Sequence, residues 1–229
     1  MFLAHHISQA ERIVISFRRI PPFMDIKIVH ENNNVIFYTD GVALSSTISG
    51  GGHIRSIVFN TLQEYIQEDK FDLYINKILE NYGLGANTPV FVTLVDINHM
   101  KIINTEDYLI AVTAGISEPA SFKGNRKPGT INVMVIVKRK PEGNAMADMF
   151  RVATEAKSMA AFALGLKFGN IPSPGTVSDA VCVVFAGEEG IRYCGFGTAL
   201  GDKIIESIYD SVYAAGKEYM EHHGHNNGT

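Results

Sequence analysis

Residues 144–185, NAMADMFRVATEAKSMAAFALGLKFGNIPSPGTVSDAVCVVF, spell a helix, a Gly/Pro loop and a buried strand, and the rest of the chain is read outward from them. Asn144 is placed to cap the helix and Gly165 to end it in a left-handed turn. Between them Met146, Met149, Phe150, Ala153, Ala160 and Leu164 recur at three- and four-residue spacing, which makes one apolar stripe. Lys157 falls on that stripe, four residues from Ala153 and seven from both Phe150 and Leu164. A lysine there must snorkel, find a partner or lower its pKa. The strand carries a matching anomaly. In TVSDAVCVVF, Asp179 shares a face with Val177, Val181, Val183 and Phe185. A lone charge among valines costs several kcal/mol or more. Each residue also has a plainer reading. The Lys157 stem could cover apolar surface, and Asp179 could accept backbone N–H bonds at the strand entrance after Pro174 and Gly175.

With 46% hydrophobic and 19% charged residues, the 229-residue chain reads as a soluble globular protein with ample length for a core. A net charge of −4 gives no electrostatic footprint for nucleic acid. Cys182 and Cys194 lie in apolar contexts, as buried thiols rather than a disulfide framework. No apolar run is long enough for a transmembrane helix, and the opening MFLAHHISQAER lacks signal-peptide character, so a cytoplasmic protein is expected.

Residues 12–20 and 25–29 read as strands around Pro21 and Pro22, with a short strand at 35–38 after an asparagine turn. Ile54, Ile57, Val58, Leu62, Tyr65 and Ile66 fit helical spacing and predict a helix over 54–67. A second helix is expected over 69–82, ended by Gly83 and Gly85. Residues 90–95, 109–114 and 131–137 are near-continuous apolar runs, which predicts strands covered on both faces. The polar loop 117–129 reads as a surface excursion, 191–196 as a strand, and a C-terminal helix from about Asp202 buries Ile204, Ile205, Ile208, Val212 and Tyr213. The expectation is a single α/β (or α+β) domain over 1–220, a mixed sheet covered by helices, with a disordered His-rich tail at 221–229. Residues 131–137 and 177–185 should form the sheet beneath the 146–164 stripe.

SSTISGGGHIRS places Gly50, Gly51 and Gly52 directly before the expected helix, a nest of backbone N–H groups suited to phosphate, carboxylate or a developing oxyanion. A tight turn is the plainer alternative. The motif is neither a P-loop nor a dinucleotide fingerprint. Ser45, Ser46 and Ser49 offer hydroxyls nearby, but none sits in a G-x-S-x-G elbow. His53 is an acid–base candidate and equally a surface histidine at a helix start. His5, His6, His30 and His99 are scattered, and His222, His223 and His225 sit in the expected tail. No HExxH, CxxC or EF-hand pattern is present, so no dedicated metal site is expected. Glu155 is two residues from Lys157 and so faces elsewhere on the helix, with Arg151 four residues before it as a surface partner.

The words TEAKS and GTVSDA resemble signatures of the adenosylcobinamide amidohydrolase family. So do ALSSTISGGG with the following Asn60, TAGISEP, GTINVMVIV and GFGTALGD, in family order from about Val42 to the C-terminal helix. VTLVDINHM is similar to a further family segment and keeps Thr93, while departing at its paired alanines. The resemblance implies hydrolysis of the adenosylcobinamide amide, releasing aminopropanol and giving adenosylcobyric acid in corrinoid salvage. It also implies a small-molecule corrinoid partner and no cofactor beyond the substrate's own cobalt. No nucleic-acid or membrane partner is expected, and a homo-oligomer is compatible.

Amide chemistry then suggests a division of labour. The Gly50–Gly52 amides would hold the oxyanion, Asp179 would activate water, and Lys157 would tune it or protonate the leaving nitrogen. Glu155, inside the TEAKS word, is a third catalytic candidate, binding substrate or orienting a loop. Ser45, Ser46, Thr113, Asn132, Thr154 and Thr176 would bind substrate. The rival expectation is a non-catalytic corrinoid- or nucleotide-binding protein. A general amidase is disfavoured by the missing Ser-His pattern.

Overall fold

A computed structural model describes residues 13–16 (as backbone), 26–64, 66–117, 119–121 and 129–223. The elements in chain order are β1 (Ile13–Ser16), β2 (Lys27–Glu31), β3 (Asn34–Ser45), β4 (Gly52–Thr61), α1 (Phe71–Asn81), β5 (Val90–Thr93), β6 (Lys101–Asn104), β7 (Tyr108–Gly115) and β8 (Thr130–Val137). They continue with β9 (Lys140–Pro141), α2 (Ala145–Ala163), β10 (Lys167–Phe168), β11 (Ile171–Pro172), β12 (Ala180–Phe185), β13 (Gly190–Ile191) and α3 (Ala199–His223). The main sheet runs β1-β2-β3-β12-β8-β7-β6, with β4 on the other edge of β3 and β5 beyond it. The β12–β8 and β4–β5 pairs are parallel and the others antiparallel, so the sheet is mixed.

β3 is the joint of this sheet. Its first half pairs with β2 and its second half with β12, while β4 follows the opposite edge with a register shift between Tyr38 and Gly41. Gly41 permits the bend, because a Cβ there would lie 2.6 Å from the Phe185 carbonyl oxygen. Folded at this joint, the sheet packs its two halves face to face. Phe37, Phe59 and Phe91 form an aromatic row whose Phe59 and Phe91 rings stack at 4.3 Å. That row shares one core with Leu109, Met134, Ile136, Cys182 and Val184. The opposite faces of β7, β8 and β12 (Ile110, Val112, Val133, Val135, Val183) lie under α2 and α3. Ile36, Val58 and Val90 lie under α1 through Ile75, Ile78 and Leu79. The expected mixed sheet covered by helices is the fold observed.

α2 buries Met149, Ala153, Lys157 and Ala160 of the expected stripe, together with Val152, Ala156 and Ala161. Met146, Phe150 and Leu164 are only partly buried, because the small alanines carry the close approach to the sheet. Gly165 ends the helix as expected, at φ +75°, with Gly165 N donating to Phe162 O and Leu166 N to Ala161 O in a Schellman arrangement. Asn144 does not cap with its side chain. Its carbonyl accepts from Asp148 N at 2.9 Å instead.

Several boundaries differ from expectation. The predicted 54–67 helix is strand β4, whose Ser56–Asn60 residues are buried on both faces. A strand between two cores loses the alternation that identifies it, and its apolar spacing then mimics a helix. The predicted 35–38 strand extends to Ser45 through a segment, 39–44, that alternates buried and exposed, and β6 is an additional alternating edge strand. Of the strand expected at 191–196 only Ile191 is in a strand, the two-residue β13 that begins at Gly190. α3 starts at Ala199 and continues through His223, so 221–223 are helical rather than irregular. Pro21, Pro22 and most of the loop 117–129 lie outside the described residues.

Candidate active site

The C-terminal ends of β3 and β7 and the N-terminal ends of β8 and β12 meet at one end of the central sheet, because each pair in the order β3-β12-β8-β7 fixes that polarity. Asp179 sits here, in the turn just before β12 rather than on its face, and Val177 is exposed. The carboxylate is fully occupied. Oδ1 accepts from Ile131 N at 2.8 Å and from Thr176 Oγ1 at 2.5 Å. Oδ2 accepts from Thr176 N at 3.1 Å and from Lys157 Nζ. Lys157 Nζ also donates to Pro174 O at 3.1 Å, and its side chain is only 7% exposed against 13% for Asp179. The pair welds three segments together: the middle of α2, the 174–176 turn and the first strand residues of β8. Gly175 makes room for it, since a Cβ there would lie 2.0 Å from Asp179 Oδ2.

The neighbouring hydroxyls are mostly used internally. Ser178 Oγ and Thr130 Oγ1 are 2.7 Å apart, and Ser178 Oγ also donates to Gly129 O at 2.9 Å. Ser46 extends the β3–β12 ladder, with Ser46 N donating to Val181 O at 2.9 Å and Val181 N donating to Ser46 Oγ at 3.0 Å. Ser45 Oγ lies 2.6 Å from Thr47 Oγ1 and accepts from Thr47 N. Two groups stand apart. Thr113 and Asn132 face each other across β7 and β8, each 1% exposed, and Thr113 Oγ1 and Asn132 Oδ1 have no hydrogen-bond partner among the described residues. A buried polar atom without a protein partner costs about 1–3 kcal/mol, so an ordered water or a ligand group would complete each of them.

A cavity of about 510 Å³ opens at the same sheet end, lined by Thr93, Gly115, Ser117 and Thr130 on the sheet side and by Glu218 and His222 of α3. Glu218 Oε1 is 2.6 Å from His99 Nδ1, and Glu218 Oε2 pairs with Lys101 Nζ. Lys101 first, and His99 second, hold the Glu218 carboxyl down to about 2. His99, Glu218 and His222 thus converge, a grouping that chain spacing could not reveal. The four-residue spacing of Glu218 and His222 places them one turn apart on α3, but the expected end of order at residue 220 hid that pair in the sequence.

The glycine run works differently from the expected nest. A strand, not a helix, follows it, so no helix dipole reinforces it and His53 is an exposed strand residue 3.5 Å from Asp40. Gly51 N donates to Asn87 O at 3.0 Å and is not free for an oxyanion. Gly50, at φ +86°, packs so tightly that a Cβ would lie 2.3 Å from Pro89 N, whereas at Gly51 (φ +127°) the nearest atom is 3.8 Å away. Both positions disfavour a side chain by backbone strain of about 1–3 kcal/mol. Gly50→Ala adds a backbone clash and should lower the melting midpoint clearly more than Gly51→Ala, read side by side in one thermal scan.

Glu155 is bound by Arg151 at 2.8 Å and is 42% exposed, away from the Lys157–Asp179 pair. Thr154 Oγ1 donates to Phe150 O at 2.9 Å within α2. The structure therefore brings Lys157, Asp179, Thr176, Asn132, Thr113 and Ser46 to one sheet end and leaves Glu155 on the helix surface. The thiols are not nucleophile candidates. Burial pushes Cys182 up to about 12 and Cys194 to about 11, so both are protonated at neutral pH. A thiol-specific disulfide reagent should find no fast-reacting group in the folded protein and two after denaturation. A fast native reaction would place a thiolate at the surface.

The chain is thus a mixed α/β protein that gathers a buried ion pair, two buried polar atoms without a protein partner and, lined by other residues, a cavity at one sheet end. The profile of the adenosylcobinamide amidohydrolase family matches residues 29–224, and the chain belongs to that family. A relative named adenosylcobinamide amidohydrolase from Methanosarcina mazei is 26% identical over 196 residues, covering 80% of this chain and 94% of its own length. One of the same name from Halobacterium salinarum is 29% identical over 141 residues, covering 56% and 58%. Among solved structures, the PH0078 protein from Pyrococcus horikoshii OT3 covers 91% of this chain and 83% of its own at 11% identity. Its TM-score of 0.39 is too low a likeness to bear on fold or chemistry. No helix among the described residues is long and apolar enough to cross a membrane.

Proposed function

We propose that the protein hydrolyses the amide that links aminopropanol to the corrinoid side chain of adenosylcobinamide, giving adenosylcobyric acid. Water oxygen bonds to the amide carbonyl carbon, the C–N bond breaks, and the leaving nitrogen takes a proton. The observation that carries this reading is the pair Thr113 Oγ1 and Asn132 Oδ1, buried and partnerless where the family's sequence words meet. A threonine hydroxyl can donate to a substrate carbonyl, and an asparagine Oδ1 can accept from a substrate N–H. Together they complement a carboxamide.

Within this reading Lys157 and Asp179 are positioning residues. Asp179, accepting from four donors, holds Lys157 Nζ in place and fixes Thr176 and the start of β8 beside the substrate groups. The Gly50–Gly52 corner shapes the same end rather than supplying the oxyanion hole. Incubation with adenosylcobinamide followed by mass analysis tests the reading: adenosylcobyric acid and free aminopropanol should appear in equal amounts. Corrinoid binding without turnover is the alternative, favoured by the saturation of Asp179. It predicts intact adenosylcobinamide retained on the protein and no acid product after hours.

A further inference from the structure

We propose that His99, Glu218 and His222 form a binding site for one divalent cation of the Zn²⁺ class, its open coordination position facing the adjoining cavity. One ligand atom from each of the three lies within 4.8 Å of the others. Glu218 and His222 are four residues apart on α3 and so share a face of that helix. His99 comes from the 3-10 turn Ile97–His99, which Asp96 caps by accepting from Asn98 N at 2.9 Å. The His99 and His222 rings stand 5.6 Å apart, centroid to centroid. Two imidazoles and one carboxylate suit a borderline cation, and three protein ligands leave a fourth position for water or substrate.

The local geometry needs little change. His99 Nδ1 and Glu218 Oε1, now 2.6 Å apart, share a hydrogen bond. Exchanging its proton for a metal with bonds of about 2.0–2.1 Å spreads a tetrahedral pair to about 3.3 Å. Lys101 pairs with the other oxygen, Oε2, which leaves Oε1 as the monodentate ligand atom while the ammonium competes with a cation for the carboxylate. The His99 side chain is 47% exposed and the Glu218 side chain 30%, which gives the cation an entry path. The inner wall of the cavity is built by Gly115, Ser117, Gly129 and Thr130. The site rests on these residues alone and is independent of which molecule occupies the cavity.

The test is titration of the chelator-stripped full chain with Zn²⁺ and with Co²⁺, followed by calorimetry. Binding should saturate at one equivalent. His99→Ala and Glu218→Gln should each weaken it by roughly 100-fold or more, because the loss of even an outer-shell partner costs about 10–100-fold. A His223→Ala, His225→Ala double variant should bind as the parent does. Lys101→Ala, which frees Glu218 from its competing cation, should bind at least as tightly. Melting scans without metal confirm that each variant is folded. Absence of stoichiometric uptake by the parent would overturn the site and leave the cluster as an ion pair between the 97–99 turn and α3. Uptake that survives His99→Ala and Glu218→Gln but disappears in the double variant would assign the metal to terminal histidines and overturn it equally.

Discussion

Replacing Asp179 with alanine is expected to lower the melting midpoint by roughly 6–20 °C. The substitution strands the Lys157 ammonium at 7% exposure and leaves the Ile131 and Thr176 amides without their acceptor. Breaking a buried ion pair from one side costs about 3–5 kcal/mol, and each kcal/mol shifts the midpoint of a chain this size by about 2–4 °C. Lys157→Met added to Asp179→Asn should recover much of the loss, since a buried pair replaced as a whole is often close to neutral. Gly175→Ala should reproduce the single defect by another route, its Cβ falling 2.0 Å from Asp179 Oδ2 and 2.4 Å from Lys157 Nζ. An Asp179→Ala protein that melts with the parent would show that the pair does not hold this end of the sheet together.

Thr113→Val should separate stability from turnover in the opposite sense. Valine keeps the shape and removes a buried hydroxyl that has no partner, so stability should hold or rise by about 1 kcal/mol. If the hydroxyl serves the substrate amide, kcat/KM should fall by roughly 10- to 1000-fold, the upper figure applying if the bond strengthens in the transition state. Thermal melting and steady-state kinetics on one preparation read both quantities. A destabilised variant with unchanged kcat/KM would return Thr113 to a purely structural role.

The parts of the fold that sequence carried plainly were those set by one local cause. Gly165 ended α2 because a left-handed residue was needed there, and the runs in β7 and β8 read as strands because both their faces are covered. Lys157 and Asp179 were each legible as a charge in need of a partner; that they meet each other, and that Asp179 also takes the Ile131 and Thr176 amides in the turn before β12, came from the fold. What failed depended on contacts distant in the chain. β4 is a strand because it lies between two cores, a fact absent from the spacing of Ile54, Ile57 and Val58. The glycines were recognised as a special backbone, but their use against Asn87, Thr88 and Pro89 required the β4–β5 neighbourhood. His99 meets Glu218 only after β6 and β7 return the chain beneath α3.

The most direct measurement of the central claim uses water enriched in the heavy oxygen isotope. Adenosylcobinamide incubated with the protein in that solvent should give adenosylcobyric acid carrying one labelled carboxylate oxygen, with unlabelled aminopropanol released in equal amount. Thr113→Val should form the same labelled acid more slowly. Recovery of intact, unlabelled adenosylcobinamide bound to the folded protein would contradict hydrolysis at this sheet end and leave a corrinoid-binding protein in its place.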